Sequence, residues 1–291
     1  MLCLIGGFLA RAMTSSDPWS EDLAWHAQRG LELARALCTC AGRYHWSYGI
    51  LRAAGVTSSL SSEAPALASL MTPLLGDRAR VMIGGAADVG LLCFIGRCAA
   101  ARRPQITVMD KCRAPLALIE EFVAARGLAC RTLQADLLAF DGHGQWDNIL
   151  LHYTAEFLDT ASRAQFFKAV AASLAPRGTL VCVSMTGHKF PHEKKQDLAS
   201  AFRTYSSSAL RQSHMAAYAQ DPEFERMLDD YAEACAARRL NYPDTKELHD
   251  ALWHAGLRIV SEDVTPRRWR FFKIDPAAEF DRRSTIVATR D

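Results

Sequence analysis

The sequence predicts an α/β fold in which helices pack on both faces of a mostly parallel sheet. Between residues 80 and 184, short apolar runs bounded by turn residues alternate with longer segments of helical periodicity. The first apolar run stops at Gly84-Gly85, and a new apolar segment with helical spacing begins after Gly90. A strand, a glycine turn and a helix in this order are typical of a site for a nucleotide-bearing ligand in an open α/β sheet.

Composition narrows the classes of partner. The 291 residues suffice for one large domain or two small ones, and a net charge of +2 favours neither nucleic acid nor an anionic membrane as a partner. No run reaches the ~20 apolar residues of a membrane span. Residues 2–10 are apolar, but no basic residue precedes them, so we expect a packed or frayed tail rather than a signal peptide. We therefore expect neither nucleic acid nor a membrane as a partner.

The nine cysteines are scattered without paired spacing, which favours reduced thiols and a cytoplasmic location. Cys38 and Cys40 form a C-x-C pair. Because no second Cys/His pair lies near them in sequence, we expect one buried and one partly exposed thiol and no metal site.

The first 76 residues are predicted to form a helical lid region. Asp17-Pro18 is a good helix start, and apolar residues then recur every three or four positions up to residue 38. The aromatic segment 44–48 opens a short helix that ends at Gly55, and a third helix covers residues 64–75.

Residues 77–291 are predicted to form the α/β domain, interrupted by a helical insertion at 188–247. That insertion is polar and lacks strand signals, and so long a structureless loop is improbable; it could also pair two subunits. We predict helices within it at 215–218 and 224–237. Elsewhere the predicted strands cover residues 80–83, 106–110, 130–134, 147–151, 179–184, 257–262 and 284–289, and the predicted helices cover 89–101, 113–127, 160–174 and 248–254.

Polar residues follow several strands at the edge where ligands bind in such sheets. Asp110 ends the second strand, 20 residues after Gly90, where a carboxylate can accept two hydrogen bonds from a ribose diol. Asp136 ends the third strand and could bind the amine of an adenine, with Leu137 against the ring. His152 and Tyr153 end the fourth.

These residues, together with the turn LAPRGTL at 174–180, resemble the class I S-adenosylmethionine-dependent methyltransferases over residues 78–187, and more loosely over the last 45. The resemblance implies a Rossmann-like sheet of seven strands whose final hairpin is antiparallel. It departs from the family at Met82, where an acidic residue is common, and at Ala86 and Asp88, where glycines are common. The implied cofactor residues are Gly84, Gly85, Ala86, Asp88 and Gly90 for the methionine part, with Asp88 as a partner for its ammonium, Asp110 for the ribose, and Asp136 and Leu137 for the adenine. Lys111 and His152 are further candidate cofactor residues.

The lid supplies further candidates. Aromatic faces stabilise a cationic sulfonium much as they stabilise quaternary ammonium groups. We therefore expect Tyr44, His45 and Trp46 to cover the cofactor, with Tyr44 and His45 also bonding its amino acid end. The alternative is that Trp46 and Tyr48 only pack the helices together.

His152 is the candidate general base, because its ordinary pKa lies near neutrality, with Tyr153 and Tyr44 as the other candidate catalytic residues. The alternative is a histidine bonded to backbone. The expected reaction is methyl transfer to a small molecule, as in secondary metabolism. The basic aromatic stretch 267–273 is predicted as a solvated edge strand, or as a site for an anionic group of a substrate.

A second reaction stays open. Tyr44-His45-Trp46 and Leu51-Arg52-x-x-Gly55 are also similar to the methyltransferase-like cyclases that convert S-adenosylmethionine to azetidine-2-carboxylate with release of methylthioadenosine. That reaction needs a neutral cofactor amine, which Tyr153, Asn148 or Ser184 would orient. A non-catalytic binding or scaffold role is the third possibility.

Overall fold

One seven-stranded sheet organises the chain. In this computed structural model, the described residues are 17–40, 43–57, 60, 63–99, 102–187, 192–267 and 281–290. The strands are β1 (Arg80–Gly84), β2 (Gln105–Asp110), β3 (Arg131–Gln134), β4 (Trp146–His152), β5 (Leu174–Thr186), β6 (Leu257–Arg267) and β7 (Asp281–Arg290). Their order is β3-β2-β1-β4-β5-β7-β6, with β1 to β5 parallel and β7 antiparallel to both β5 and β6. The predicted fold class, including its antiparallel final hairpin, is confirmed.

Helices flank this sheet. They are α1 (Leu23–Leu37), α2 (Tyr44–Ala53), α3 (Ala64–Met71), α4 (Gly90–Ala99), α5 (Arg113–Arg126), α6 (Thr160–Ser173), α7 (Lys195–Arg211), α8 (Pro222–Leu240) and α9 (Thr245–His254). Single 3₁₀ turns lie at Thr72–Leu74, Ala155–Phe157, His192–Lys194 and Ala216–Gln220. None of these described helices is both long and apolar enough to span a bilayer.

Alternation along the strands divides the core between the two faces of the sheet. Val81 and Ile83 of β1 pack in one buried cluster with α3, α4 and α5, whereas Met82 packs in the other, with α6 and α9. Successive side chains of a strand point to opposite faces, so a strand covered on both sides is apolar throughout. This explains why β1 reads as an unbroken apolar run.

Two predicted boundaries are wrong, and one helix is absent from the prediction. The first helix begins at Leu23 with Asp22 as its cap, because Asp17 instead accepts from the Trp19 amide at 2.9 Å and closes a local turn. The LAPRG segment lies inside β5 as a bulge, since Trp146 pairs with Leu174 but Asn148 pairs with Thr179. Helix α7 was not predicted, although its buried residues Leu198, Phe202, Ser206 and Leu210 recur every four positions, as on one face of a helix.

The lid is joined to the sheet domain and to the insertion. Arg29 of α1 donates two hydrogen bonds of 2.7 Å to Glu121 of α5. Gly49 lets α2 lie against the backbone of α1, because a Cβ there would be 3.2 Å from the Cα of Ala27. Apolar residues of α1 and α2 share a buried cluster with α7 and α8. Residues 2–10 and 268–273 lie outside the described residues, so their predictions are untested.

Candidate cofactor site

The glycine turn after β1 has room only for glycine. Gly85 has a φ of 79°, a left-handed conformation that side chains disfavour, and its amide donates to the Met109 carbonyl at 2.8 Å. A Cβ at Gly85 would lie 2.8 Å from Thr154 Oγ1, and one at Gly84 would lie 2.7 Å from Leu151. The turn therefore lies at the carboxyl edge of the sheet, as the sequence predicts, with Thr154 and Leu151 packed against its backbone.

Asp88 joins the glycine turn to the lid. Its Oδ1 accepts from the Gly90 amide at 2.8 Å at the start of α4, and its Oδ2 accepts from Arg52 of α2 at 2.6 Å. The same guanidinium donates to Glu21 at 2.6 Å. Burial opposes the charge of Arg52, but Asp88 and Glu21 hold its pKa above the ordinary value. A Cβ on Gly90 would lie 2.6 Å from Arg52, so the arginine rests directly on the turn.

Asp110 lies where β2 ends, as expected, and it faces the turn. Its carboxylate accepts from the Ala86 amide at 2.8 Å and from the Cys112 amide at 2.7 Å. Burial raises the pKa of Asp110, although these two amides oppose the shift. Lys111, beside it, is exposed. One carboxylate therefore braces both the glycine turn and the start of α5.

Asp136 and Leu137 follow β3 on the outer side of the same edge. Asp136 is exposed, and its Oδ1 accepts from the Leu138 amide at 2.9 Å. The Leu137 side chain reaches back to the turn, 3.2 Å from where a Cβ on Gly84 would lie. An apolar side chain and an exposed carboxylate thus flank the position where we predict the adenine.

An aromatic cluster covers the end of β4. Tyr44 of α2 stacks on Tyr231 of α8, with ring centroids 5.2 Å apart and an angle of 21°, and it meets Phe157 edge-on at 5.3 Å. Tyr48 lies 5.5 Å from Tyr44, and Arg238 lies 5.1 Å above the Phe157 ring. Burial raises the pKa of Tyr44 to about 12, so Tyr44 stays a neutral phenol. The cluster joins the lid, the insertion and the turn after β4.

His45 and Trp46 have other neighbours. His45 Nδ1 lies 3.5 Å from Cys38 Sγ, and the ring belongs to a group that also contains Cys40 and Cys112. Trp46 packs against the buried residues around those cysteines, with Arg43 4.7 Å above its ring. The structure thus gives both residues a packing role beside the cysteines, and their predicted contact with the cofactor stays a prediction.

A second polar group occupies the tip of β4. His152 Nε2 lies 2.9 Å from Glu63, and the Tyr153 hydroxyl donates to the same carboxylate at 2.5 Å. Arg283 of β7 pairs with it at 3.2 Å. Glu63 is 4% exposed; burial works to raise its pKa, but His152, Tyr153 and Arg283 together lower it to about 2. The carboxylate is therefore ionised and holds one nitrogen of His152, which is not the backbone partner considered from the sequence.

Comparison by sequence finds no family model and no curated protein that matches the chain. Comparison by structure finds the [4+2]-cyclase SpnF, with a TM-score of 0.56 and 12% identity over 90% of this chain and 96% of that one. It also finds the phosphoethanolamine N-methyltransferase 2 of Haemonchus contortus, solved with S-adenosylhomocysteine, with a TM-score of 0.50 and 12% identity over 79% of this chain and 52% of that one. A possible exported protein from Bordetella parapertussis has a TM-score of 0.50 and 14% identity, over 80% and 68%. The chain has the Rossmann-like methyltransferase fold.

Two residues of this candidate site escape sequence reasoning. Glu63 precedes Ala64-Pro65, a pattern that marks a helix start but does not show that the carboxylate is buried against β4. Tyr231 lies in the insertion, whose sequence shows no link to Tyr44. Of the residues considered for orienting an amine, Asn148 donates to the Leu74 carbonyl at 2.9 Å, well before the end of β4, which contradicts that role.

Proposed function

We propose that the protein is an S-adenosylmethionine-using enzyme that transfers the methyl group to a small-molecule acceptor. The observation that carries this proposal is the convergence of the glycine turn, the Arg52–Asp88 pair and Asp110 at one edge of a methyltransferase-like sheet. Each matches one chemical part of S-adenosylmethionine.

The Arg52–Asp88 pair is complementary to a zwitterion. A guanidinium binds a carboxylate, and a carboxylate binds an ammonium. In our proposal the amino acid end of the cofactor inserts here, with its carboxylate on Arg52 and its ammonium on Asp88. Arg52 keeps Glu21 as a partner, so its charge stays compensated while Asp88 changes partner. Asp110 would take the ribose diol beside them.

Tyr44, with the rings around it, is the proposed partner of the sulfonium. Aromatic rings turned toward one region attract a cation through their negative faces, and more strongly where water is excluded. The cluster includes Tyr231 of the insertion, so the insertion would close the site as well as shape the acceptor pocket. The cofactor supplies an electrophilic methyl group when bound.

His152 is the proposed base. Glu63 holds its Nε2, which fixes the orientation of the ring, as a carboxylate does for the base of a catalytic triad. Nδ1 is then the atom that takes the proton of the acceptor as the new bond to the methyl carbon forms and the carbon–sulfur bond breaks. Tyr153 and Arg283 act through Glu63 as positioning residues.

One observation favours cyclisation as the second candidate. Helix α8 packs over the end of β4, with Tyr231 against Tyr44 and Arg238 over the ring of Phe157, and so covers one side of the candidate site. In a sealed site the cofactor's own amine could displace sulfur at its γ-carbon, releasing methylthioadenosine. Asp88 opposes this route, because a carboxylate stabilises the protonated amine.

Two measurements test the proposal. Calorimetry should show S-adenosylmethionine binding to the full chain, and Asp110→Ala should weaken it about tenfold or more. The matched control is Asp147→Ala: Asp147 is a strand carboxylate at the opposite edge, paired with Arg80. No binding by the natural chain, or equal losses in both variants, would overturn the proposal.

Incubation with S-adenosylmethionine alone then separates the two reactions. Methylthioadenosine formed without any added compound supports cyclisation. S-adenosylhomocysteine formed only when a nucleophilic acceptor is added supports methyl transfer.

A further inference from the structure

Four potential metal ligands meet where the lid joins the sheet domain. Cys38 follows α1, Cys40 comes two residues later, His45 lies in the first turn of α2, and Cys112 precedes α5. One ligand atom from each lies within 4.8 Å of all the others. The sequence shows only the Cys38-x-Cys40 pair, because Cys112 is far along the chain and His45 belongs to an aromatic segment.

The spacing fits a tetrahedral ion. With Zn–S bonds of about 2.3 Å and Zn–N bonds of about 2.0 Å, tetrahedral angles place two sulfurs roughly 3.8 Å apart, and a sulfur and a nitrogen roughly 3.5 Å apart. Cys38 Sγ and His45 Nδ1 are 3.5 Å apart. The other distances between the ligand atoms of the four side chains are all within 4.8 Å. Small side-chain rotations would therefore bring all four atoms to bonding distance of one ion.

The surroundings also fit. Cys112 is 1% exposed, and the small buried residues Ala34 and Ala114 pack beside it, with Trp46 along one side. The described cysteines are all free thiols. Three thiols and an imidazole that converge from separate parts of the chain form a soft donor set, which selects zinc over magnesium or calcium.

We propose that Cys38, Cys40, His45 and Cys112 bind a structural zinc ion. Four protein ligands leave no open position, which is typical of structural rather than catalytic zinc. The ion would link both ends of the α1–α2 connection to Cys112, which precedes α5. Zinc therefore fastens the lid to the sheet domain.

The site also bears on the cofactor, a consequence that depends on the function proposed above. The amide of Cys112 donates to Asp110 at 2.7 Å, so an ion held by Cys112 fixes the turn that carries the predicted ribose ligand. The lid's Arg52 contacts the glycine turn from the other side. Zinc loss should therefore weaken S-adenosylmethionine binding even though no zinc ligand needs to touch the cofactor.

Metal content tests the zinc site directly. The full chain, purified with a reductant and desalted, should contain about one zinc ion per chain, as measured by elemental mass spectrometry. Cys112→Ser and Cys40→Ser should each lower this at least tenfold. The control is Cys130→Ser, which changes a half-buried cysteine before β3, outside the group. Serine is a favourable helix cap, so Cys112→Ser does not weaken the start of α5.

A second pair of variants tests the fourth ligand. His45→Cys should keep the ion, because four thiolates also bind zinc, whereas His45→Ala should lose it. Cobalt added to the metal-free chain should give the absorption of tetrahedral thiolate coordination, and this should be absent from Cys112→Ser.

A stability measurement on the natural chain tests the zinc site without any substitution, so it remains informative if a variant fails to fold. A chelator should lower its melting temperature by about 5 °C or more, and zinc should restore it. The proposal is overturned if the reduced chain takes up no zinc, if Cys40→Ser and Cys112→Ser keep the ion, or if Cys38 and Cys40 form a disulfide in place of binding metal. A chain that binds zinc but not S-adenosylmethionine would support the zinc site and refute the proposed function.

Discussion

Arg52 and Asp88 form a buried ion pair of 2.6 Å between the lid helix α2 and the turn that begins α4. Their side chains are 6% and 10% exposed. Glu21, 14% exposed, completes the group at 2.6 Å from the other guanidinium nitrogen. A buried charge that loses its partner is costly, whereas the loss of a surface pair costs little. The pair therefore fastens helix α2 to the turn that begins α4.

We expect Arg52→Met to lower the free energy of unfolding by about 3 to 5 kcal/mol, because it leaves the carboxylates of Asp88 and Glu21 without their shared partner. Asp88→Asn should cost less, because Arg52 keeps its ion pair with Glu21. The double variant should lose less than the sum of the two single losses, since the charges disappear together. Urea unfolding measures all three. The control is Arg35→Met, which breaks an exposed pair with Glu223 between α1 and α8 and should cost under about 1 kcal/mol. Additive losses would contradict a direct coupling of Arg52 with Asp88.

Glu63 predicts a dependence of stability on acid pH. Its pKa is lowered from 4.5 to about 2 in the folded chain, so the unfolded chain binds more protons between these values. The associated stability, on the order of 3 kcal/mol, is fully present above about pH 4.5 and is lost as the pH falls toward 2. We expect the difference in unfolding free energy between the natural chain and Glu63→Gln to shrink across that window.

Glu120→Gln is the matched control for Glu63→Gln. Glu120 also has a lowered pKa, through its hydrogen bond with Arg113, but that pair is exposed and should contribute under about 1 kcal/mol. A difference between the natural chain and Glu63→Gln that stays constant from pH 6 to pH 3 would contradict an ionised Glu63 in the folded state.

The parts of the site that sequence predicts are those determined by strand ends. Asp110 and His152 each end a parallel strand, and the carboxyl ends of neighbouring parallel strands meet at one edge. Their positions follow from the alternation of strands and helices alone. Gly85 is likewise predictable, because a turn between a strand and a helix often needs a left-handed residue.

Contacts between distant segments are the parts that sequence does not predict. Tyr44 stacks on Tyr231, and Cys112 approaches Cys38, only because α1 and α2 pack against α5 on one side and α8 on the other. No local periodicity encodes such pairings, since they depend on how whole helices dock. For the same reason, the sequence does not predict the salt bridge between Glu63 and Arg283.

Gly85→Ala should damage the site more than its backbone strain alone explains. The substitution adds a Cβ to a left-handed residue, at about 1 to 2 kcal/mol, and that Cβ meets Thr154 at 2.8 Å. We expect a larger loss of stability than this and a loss of S-adenosylmethionine binding in calorimetry. Gly127→Ala is the control, because Gly127 has a φ of 62° and open space around it. It should show the strain alone and unchanged binding; equal effects in the two variants would refute a special role for the turn.

His26 predicts a second pH dependence, in a different window from Glu63. The ring is 3% exposed and packs edge-on against Trp25 and Phe122, and neither of its nitrogens has a hydrogen-bond partner within the described part of the chain. Burial lowers its pKa from 6.5 to about 4, with Arg52 and Arg126 adding to the shift and Asp88 and Asp22 opposing it. The folded chain therefore holds this histidine neutral.

Between pH 6.5 and 4, His26 is protonated in the unfolded chain but stays neutral in the folded chain. The contribution of His26 to the free energy of unfolding therefore falls as the pH falls. His26→Phe keeps an aromatic ring in the same contacts and removes both the titration and the unpartnered nitrogens. Urea unfolding of both proteins should be measured at pH 7, 5.5 and 4. From pH 7 to pH 4, the free energy of unfolding of the variant should rise relative to that of the natural chain by about 3 kcal/mol. A constant difference would mean that His26 takes up its proton equally in the folded and the unfolded chain, which would contradict a pKa lowered by burial.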